Sequence, residues 1–90
     1  MKNTIFITGG STGIGAAAVR RFVAEGWQVA FADINDEAGQ ALAAETGALY
    51  RHADTRDAAE VQAAVDAAVE AFGGLTSVFC NAGIHRRNTM

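Results

Sequence analysis

Four glycines lie within the eight residues TGGSTGIG, between Thr8 and Gly15. Glycine adopts positive φ angles easily and lets another group approach the backbone closely. The apolar run TIFI precedes this segment and the alanine-rich run AAAVRRF follows it, so the glycines should join a strand to a helix. The N-terminus of a helix offers unpaired N–H donors and a partial positive charge. This segment is therefore suited to binding a phosphate group.

The spacing of the glycines favours a dinucleotide over other phosphate ligands. Residues 13–18, GIGAAA, fit the pattern G-x-G-x-x-A, and Asp33 stands about 20 residues after Gly13, at the end of the next predicted strand. A carboxylate at that position can accept hydrogen bonds from both hydroxyls of a ribose. A P-loop is excluded because no Lys-Ser/Thr pair follows the glycines. A tight strand-to-helix turn, in which Gly15 only brings the helix close to the sheet, is the structural alternative.

Predicted strands and helices alternate along the chain and position these residues. The strands cover residues 3–8, 27–33, 48–53 and 75–81, and the helices with their caps cover residues 14–26, 34–47 and 57–74. This order predicts an α/β fold with an open, Rossmann-type parallel sheet of four strands, in the order 3-2-1-4, with three helices. Such sheets bind ligands beyond the carboxyl ends of the strands, where the chain reverses direction. Residues 8–15 and 81–83 both fall there.

Two of the helices have recognisable N-termini. Asn35 or Asp36 caps the second helix, and Asp57 with Glu60 makes a D-x-x-E capping pattern for the third. Gly39 lies inside the second helix and costs it about 1 kcal/mol. The third helix should present an apolar stripe to the sheet, formed by Val61, Val65, Val69 and Phe72.

Composition describes one small domain and excludes several classes of partner. Half of the 90 residues are hydrophobic, and the formal net charge is −3 without a basic stripe, so we expect no nucleic acid partner. No apolar run reaches the length of a membrane span or of a signal-peptide core, which predicts no membrane partner and a cytoplasmic location. The single Cys80 has no CxxC or CxxH companion, and His52 and His85 lack metal-ligand spacing. We therefore predict no metal site, and we expect His52 to be an exposed strand residue.

The fuller pattern Thr8-Gly9-x-x-x-Gly13-x-Gly15, with Asp54 after strand 3 and Asn81-Ala82-Gly83 after strand 4, resembles the classical short-chain dehydrogenase/reductase family. The resemblance covers residues 2 to about 85 and corresponds to the amino-terminal, cofactor-binding portion of a protein more than twice this long. It implies a partial dinucleotide-binding domain at residues 1–84 and a truncated tail at 85–90. A methyltransferase-like or flavin-binding Rossmann protein is disfavoured by the same two motifs.

The resemblance also implies a set of residues around the cofactor. The phosphates and the adenosine ribose would contact Gly9, Ser11, Thr12, Gly13, Ile14 and Gly15. The ribose would be held by Asp33, the adenine would be flanked by Ile34, and its edge would meet Asp54 and Thr55. The central part of the cofactor would pass over Asn81, Ala82 and Gly83. Asp33 favours NAD over NADP, because it would repel the 2′-phosphate of NADP.

No catalytic residue is predicted in this chain. The family carries out hydride transfer with a Tyr-x-x-x-Lys pair, a Ser and an Asn. Here Tyr50 is followed four residues later by Asp54, and Lys2 lies far upstream. The resemblance implies the NAD-binding portion of an oxidoreductase for an alcohol or ketone substrate. A short, non-catalytic NAD-binding or scaffolding protein is the alternative.

Strand 4 raises two further expectations. Thr76 and Ser77 stand where the family commonly has Asp, which leaves the contacts of strand 4 with its neighbour open. Strand 4 would also be an exposed parallel edge, and exposed edges recruit partners. We therefore expect a homo-oligomer, with association or swapping through strand 4, or partial disorder if the chain is alone.

Overall fold

The strands form one parallel sheet whose order follows the prediction. The computed structural model describes residues 3–9 and 13–80. In chain order its elements are β1 (Thr4–Thr8), α1 (Gly13–Ala24), β2 (Gln28–Asp33), α2 (Asp36–Thr46), β3 (Leu49–His52), α3 (Ala58–Phe72) and β4 (Ser77–Cys80). The sheet order is β3-β2-β1-β4, and every neighbouring pair is parallel. The predicted α/β architecture is confirmed, including the edge position of β3.

Helices cover both faces of the sheet, which explains the continuous apolar run of β1. All five residues of β1 are buried. Ile5 and Ile7 belong to a core shared with α1 and α2, whereas Phe6 belongs to a second core shared with α3. Successive strand residues point to opposite faces, so a strand buried on both sides needs an apolar residue at nearly every position.

Alanines line the face of α3 that meets the sheet, and this differs from the predicted stripe. The buried residues of α3 are Ala64 and Ala68. Val69 is 40% exposed, so the prediction that it forms part of the buried stripe is wrong. The other members of the stripe are partly buried beside this core: Val61, Val65 and Phe72. The residues of β2 in the same core are also alanines. Because small side chains on both surfaces let α3 pack close to the sheet, the larger Val69 lies at the edge of this contact.

Asparagine and aspartate caps begin α2 and α3 just after the ends of β2 and β3. The side chain of Asn35 accepts an N–H from the first turn of α2 at 3.0 Å, which identifies Asn35 and not Asp36 as the cap. Asp57 accepts two N–H groups from the first turn of α3. Glu60 Oε1 accepts the N–H of Asp54 at 2.9 Å, so this carboxylate reaches back beyond the cap toward β3. Both caps fix where the chain leaves the carboxyl edge of the sheet.

A pair of threonines fixes the start of β4 against β1. The Thr76 hydroxyl donates to the carbonyl oxygen of Thr4 at 2.7 Å and accepts the N–H of Thr4 at 3.0 Å. The Thr4 hydroxyl in turn donates to the carbonyl oxygen of Gly74 at 2.9 Å. Threonine thus supplies the contacts between strand 4 and its neighbour that the sequence left open.

Gly39, in the interior of α2, provides the space in which Tyr50 packs. A Cβ atom at position 39 would lie 2.3 Å from Cε1 of Tyr50. The tyrosine ring also contacts Phe31 of β2, with ring centroids 5.3 Å apart. The glycine that weakens α2 as a helix therefore lets an aromatic side chain of β3 lie between α2 and the sheet.

Candidate functional site

The carboxyl ends of β1, β2 and β3 are joined by backbone hydrogen bonds. The N–H of Gly9, the first residue after β1, donates to the carbonyl oxygen of Ala32 at 2.8 Å. The N–H of Ala53, the first residue after β3, donates to the carbonyl oxygen of Asp33 at 3.1 Å. These bonds bring the start of the glycine-rich segment, the Asp33 carboxyl group and Asp54 to one edge of the sheet.

Two glycines on this edge have left-handed backbone conformations. The φ angle is 66° at Gly9 and 55° at Gly13, where α1 begins. A Cβ atom at Gly13 would meet nothing within 4 Å, so backbone conformation and not crowding requires glycine there. Gly15, in the first turn of α1, is buried. The first turn of α1 carries no acidic residue that would offset its partial positive charge.

Asp33 is fixed at both its side chain and its backbone. Its Oδ1 accepts the N–H of Ile34 at 2.7 Å and that of Asn35 at 3.4 Å. Its carbonyl oxygen accepts the hydroxyl of Tyr50 at 2.9 Å in addition to the N–H of Ala53. Beside it, the Ile34 side chain is 56% exposed at the same edge. A carboxylate next to an exposed apolar side chain suits a ligand with a polar sugar and a flat apolar base.

Asp54 follows β3 and forms an ion pair with Arg56. The Arg56 guanidinium donates to Oδ1 at 3.1 Å and to Oδ2 at 3.0 Å, and the Arg56 N–H donates to Oδ1 at 2.9 Å. These hydrogen bonds lower the pKa of Asp54. The Arg56 side chain is 84% exposed. The sequence analysis missed Arg56, although a basic residue two positions after a turn aspartate is a usable signal. Thr55, between them, is half-buried.

A second polar cluster lies beside Asp33 and was also missed. Oδ1 of Asp36 lies 2.6 Å from the Tyr50 hydroxyl and 2.8 Å from Nδ1 of His52. Hydrogen bonds from Tyr50 and His52 lower the pKa of Asp36, and the hydrogen bond to Asp36 raises the pKa of His52. His52 is exposed, as expected, but it has a specific carboxylate partner.

Burial raises the pKa of the Tyr50 hydroxyl, and its hydrogen bond to Asp36 raises it further. A tyrosine that moves a proton in hydride transfer needs the opposite shift, toward the working pH. Tyr50 is therefore suited to a structural hydrogen bond and not to acid–base chemistry.

Several predicted site residues lie outside the described part of the chain. They are Ser11, Thr12, Asn81, Ala82 and Gly83. Of the others, the strand ends bring Gly9, Asp33 and Asp54 to one edge. Ile34 and Thr55 directly follow two of these residues, and Gly13, Ile14 and Gly15 begin α1. Among residues 3–9 and 13–80, no group of three His, Cys, Asp or Glu side chains could hold a metal. No helix in these same ranges is long and apolar enough to cross a membrane.

Comparisons with known proteins show the family to which the chain is similar. The family model described as short chain dehydrogenase matches residues 3–90. A 3-alpha-(or 20-beta)-hydroxysteroid dehydrogenase of Mycobacterium tuberculosis is 52% identical over 80 residues, which are 87% of this chain and 31% of that protein. A 2,5-dichloro-2,5-cyclohexadiene-1,4-diol dehydrogenase of Sphingobium indicum is 49% identical over 83 residues, 90% of this chain and 33% of the relative.

A solved structure is similar over almost the whole chain. A variant of the actinorhodin polyketide ketoreductase, solved with NADPH, matches with a TM-score of 0.85 at 30% identity, over 92% of this chain and 34% of that chain. BdcA from E. coli matches with a TM-score of 0.68 at 43% identity, over 73% of this chain and 36% of its own. This chain thus spans about a third of the length of the curated relatives that it matches.

Proposed function

Since this chain belongs to the short-chain dehydrogenase/reductase family, we propose that it binds NAD as part of an oxidoreductase that transfers hydride between NAD(H) and an alcohol or ketone. Residues 1–84 would form the partial dinucleotide-binding domain, and residues 85–90 the tail that follows it. The observation that carries the proposal is the hydrogen bond from the N–H of Gly9 to the carbonyl oxygen of Ala32, which brings the start of the glycine-rich segment beside Asp33 at one edge of the sheet.

Different residues at this edge would contact different parts of the cofactor. N–H groups in the first turn of α1, after Gly13, would bind the diphosphate, because they point out of the helix N-terminus. Asp33 would accept the ribose hydroxyls, and Ile34 would cover one face of the adenine. Asp54 and Thr55 would meet the adenine edge once Arg56 moves aside. The remaining contacts are assigned to Ser11, Thr12, Ile14 and residues 81–83, and Gly15 would allow the close approach of α1.

NAD is the preferred dinucleotide in this proposal. The solved ketoreductase carries NADPH, so membership of the family leaves the choice between the two dinucleotides open. In this chain the carboxylate of Asp33 would face the 2′-phosphate of NADP, and two like charges at close range repel. The nicotinamide of the bound cofactor supplies the hydride chemistry. We assign no residue of this chain to proton transfer, because Tyr50 has no lysine four residues later and its pKa is raised.

Substitution of two glycines of α1 tests whether the dinucleotide binds where we propose. Gly13 is the first residue of α1, and Gly26 follows its C-terminal end. Both have a positive φ, 55° at Gly13 and 89° at Gly26, and a Cβ atom at either position would meet nothing within 4 Å. Alanine should therefore strain the backbone similarly at both, by about 1 kcal/mol. We expect Gly13→Ala to weaken NAD binding in calorimetric titration at least about tenfold, and Gly26→Ala to leave it within about twofold. Equal losses in both variants would contradict the proposed site.

We also propose a homo-oligomer in the cytoplasm. A single cysteine in the whole chain fits a reducing compartment. Within the described residues, β4 pairs with β1 on one side only, and its Val78 side chain is 56% exposed. A parallel edge with an exposed apolar residue suits pairing with a second copy. Val78→Glu should shift the sedimentation coefficient toward that of a monomer. A wild-type chain that sediments as a monomer at every concentration would rule this assembly out.

A further inference from the structure

The ring of Tyr50 packs against α2 only because residue 39 has no side chain. Its ring lies where a side chain at position 39 would project, so only glycine at that point of α2 allows it. The ring is fixed on its other side by Phe31. Glycine is unfavourable in the interior of a helix, so Gly39 lowers the stability of α2. Nothing within α2 itself compensates for this loss. The space left by Gly39 lets the hydroxyl of Tyr50 reach the carboxyl edge of the sheet.

At that edge the Tyr50 hydroxyl has two oxygen neighbours. The carbonyl oxygen of Asp33 lies 2.9 Å away, and Oδ1 of Asp36 lies 2.6 Å away. A hydroxyl has one proton, so the two acceptors compete for it. Nδ1 of His52 lies 2.8 Å from the same Asp36 oxygen, and a carboxylate oxygen has lone pairs for both contacts. The tyrosine hydroxyl is therefore held between the peptide oxygen of Asp33 and the carboxylate of Asp36.

The carbonyl oxygen of Asp33 belongs to the peptide group that continues into Ile34. This oxygen accepts hydrogen bonds from two donors, Tyr50 and the N–H of Ala53. Because a peptide group is planar, fixing its oxygen also fixes the direction of its N–H. That N–H belongs to Ile34 and donates to Oδ1 of Asp33 at 2.7 Å. The chain of contacts therefore runs from the tyrosine hydroxyl through one rigid peptide to the carboxylate.

We propose that Tyr50 is a positioning residue for dinucleotide selection: its hydroxyl fixes the peptide group between Asp33 and Ile34 and so aims the carboxylate that distinguishes NAD from NADP. This inference rests on the proposed NAD function. It assigns specificity to a residue that makes no contact with the cofactor. Without the hydroxyl, the Asp33 carboxylate would still be present, but its direction would depend on fewer hydrogen bonds.

Tyr50→Phe tests this inference, because it removes the hydroxyl and keeps the ring against Gly39. Titration of the full chain should show the Kd for NAD rising about fivefold, the equivalent of one hydrogen bond, while the Kd for NADP stays within about twofold. The preference for NAD should fall accordingly. Gly39→Ala, which displaces the ring, should lower the preference in the same way, and adding it to Tyr50→Phe should lower it no further.

Thr76→Val is the matched control, because it removes hydrogen bonds between β4 and β1 at the opposite, amino end of the sheet. It should lower the melting temperature and leave the ratio of the two Kd values unchanged. A Tyr50→Phe protein with the wild-type ratio, or with both affinities weakened equally, would overturn the inference and leave the NAD function in place. A wild-type chain that binds neither dinucleotide would overturn both.

Discussion

Nδ1 of His52 lies 2.8 Å from Oδ1 of Asp36, a contact that joins the end of β3 to the first turn of α2. The hydrogen bond to Asp36 raises the pKa of His52 above its usual 6.5, and the charges of Asp36, Glu60 and Asp54 act in the same direction. Hydrogen bonds from Tyr50 and His52 lower the pKa of Asp36 below its usual 3.8. The contact therefore links the stability of this corner to pH.

The sign of that linkage follows from the two shifts. A histidine with a raised pKa in the folded state contributes stability that is fully present below pH 6.5 and is lost as the pH rises through its folded value. An aspartate with a lowered pKa contributes stability that is present above pH 3.8 and is lost as the pH falls through its folded value. The pair should therefore stabilise the fold most between these two limits.

Urea unfolding at a series of pH values checks this prediction. The midpoint of the wild-type chain should fall as the pH rises above 6.5, and part of that fall should disappear in His52→Gln. Parallel curves for the two proteins would show that the His52 contact does not contribute.

Gly39→Ala should destabilise the wild-type fold, although alanine is the better helix former. The new Cβ would lie 2.3 Å from the Tyr50 ring, and such overpacking costs about 1 to 3 kcal/mol, more than the gain in helix propensity of about 1 kcal/mol. In a Tyr50→Ala background the ring is gone, so the same substitution should become stabilising. Denaturant unfolding of the four proteins measures the cycle. A stabilising effect of Gly39→Ala in both backgrounds would contradict the assigned contact.

Thr76→Val should lower the free energy of unfolding by about 1 to 2 kcal/mol. The substitution leaves the buried backbone of Thr4 without the hydroxyl that serves both its N–H and its carbonyl group. Thr76→Ser keeps the hydroxyl and should stay close to wild type in thermal unfolding. If serine and valine destabilise equally, the lost methyl or β-branching accounts for the effect and the hydrogen bonds do not.

Local sequence patterns predicted much of this molecule. The alternation of apolar runs and capped helices gave the element order, and general rules for parallel sheets then gave the strand order. The glycine-rich segment and Asp33 were expected at one edge of the sheet, and the hydrogen bond from the N–H of Gly9 to the carbonyl oxygen of Ala32 brings them together there. These features are readable because each depends on residues close together in the chain or on handedness rules that hold for most folds.

Other contacts near the candidate site join residues from different elements. Periodicity within one element cannot predict such contacts. Gly39 looked like a defect in α2 because the tyrosine that requires it lies in β3. His52 looked like a solvated edge residue because its partner, Asp36, precedes it by sixteen positions. Val69 was placed in the buried stripe by its helical spacing, whereas the residues of α3 that are buried against the sheet are Ala64 and Ala68. In each case the role of the residue depends on a tertiary contact that local sequence does not show.

The central claim is that the Asp33 carboxylate selects NAD, and its most direct test is a pair of titrations on the wild-type chain and on Asp33→Asn. The substitution keeps the size of the side chain and removes its charge. The wild type should bind NAD at least about tenfold more tightly than NADP, and Asp33→Asn should bring the two affinities within about threefold. Asp66→Asn, on the exposed face of α3, should keep the wild-type ratio. Equal affinities of the wild type for NAD and NADP, or an unchanged ratio in Asp33→Asn, would contradict the account.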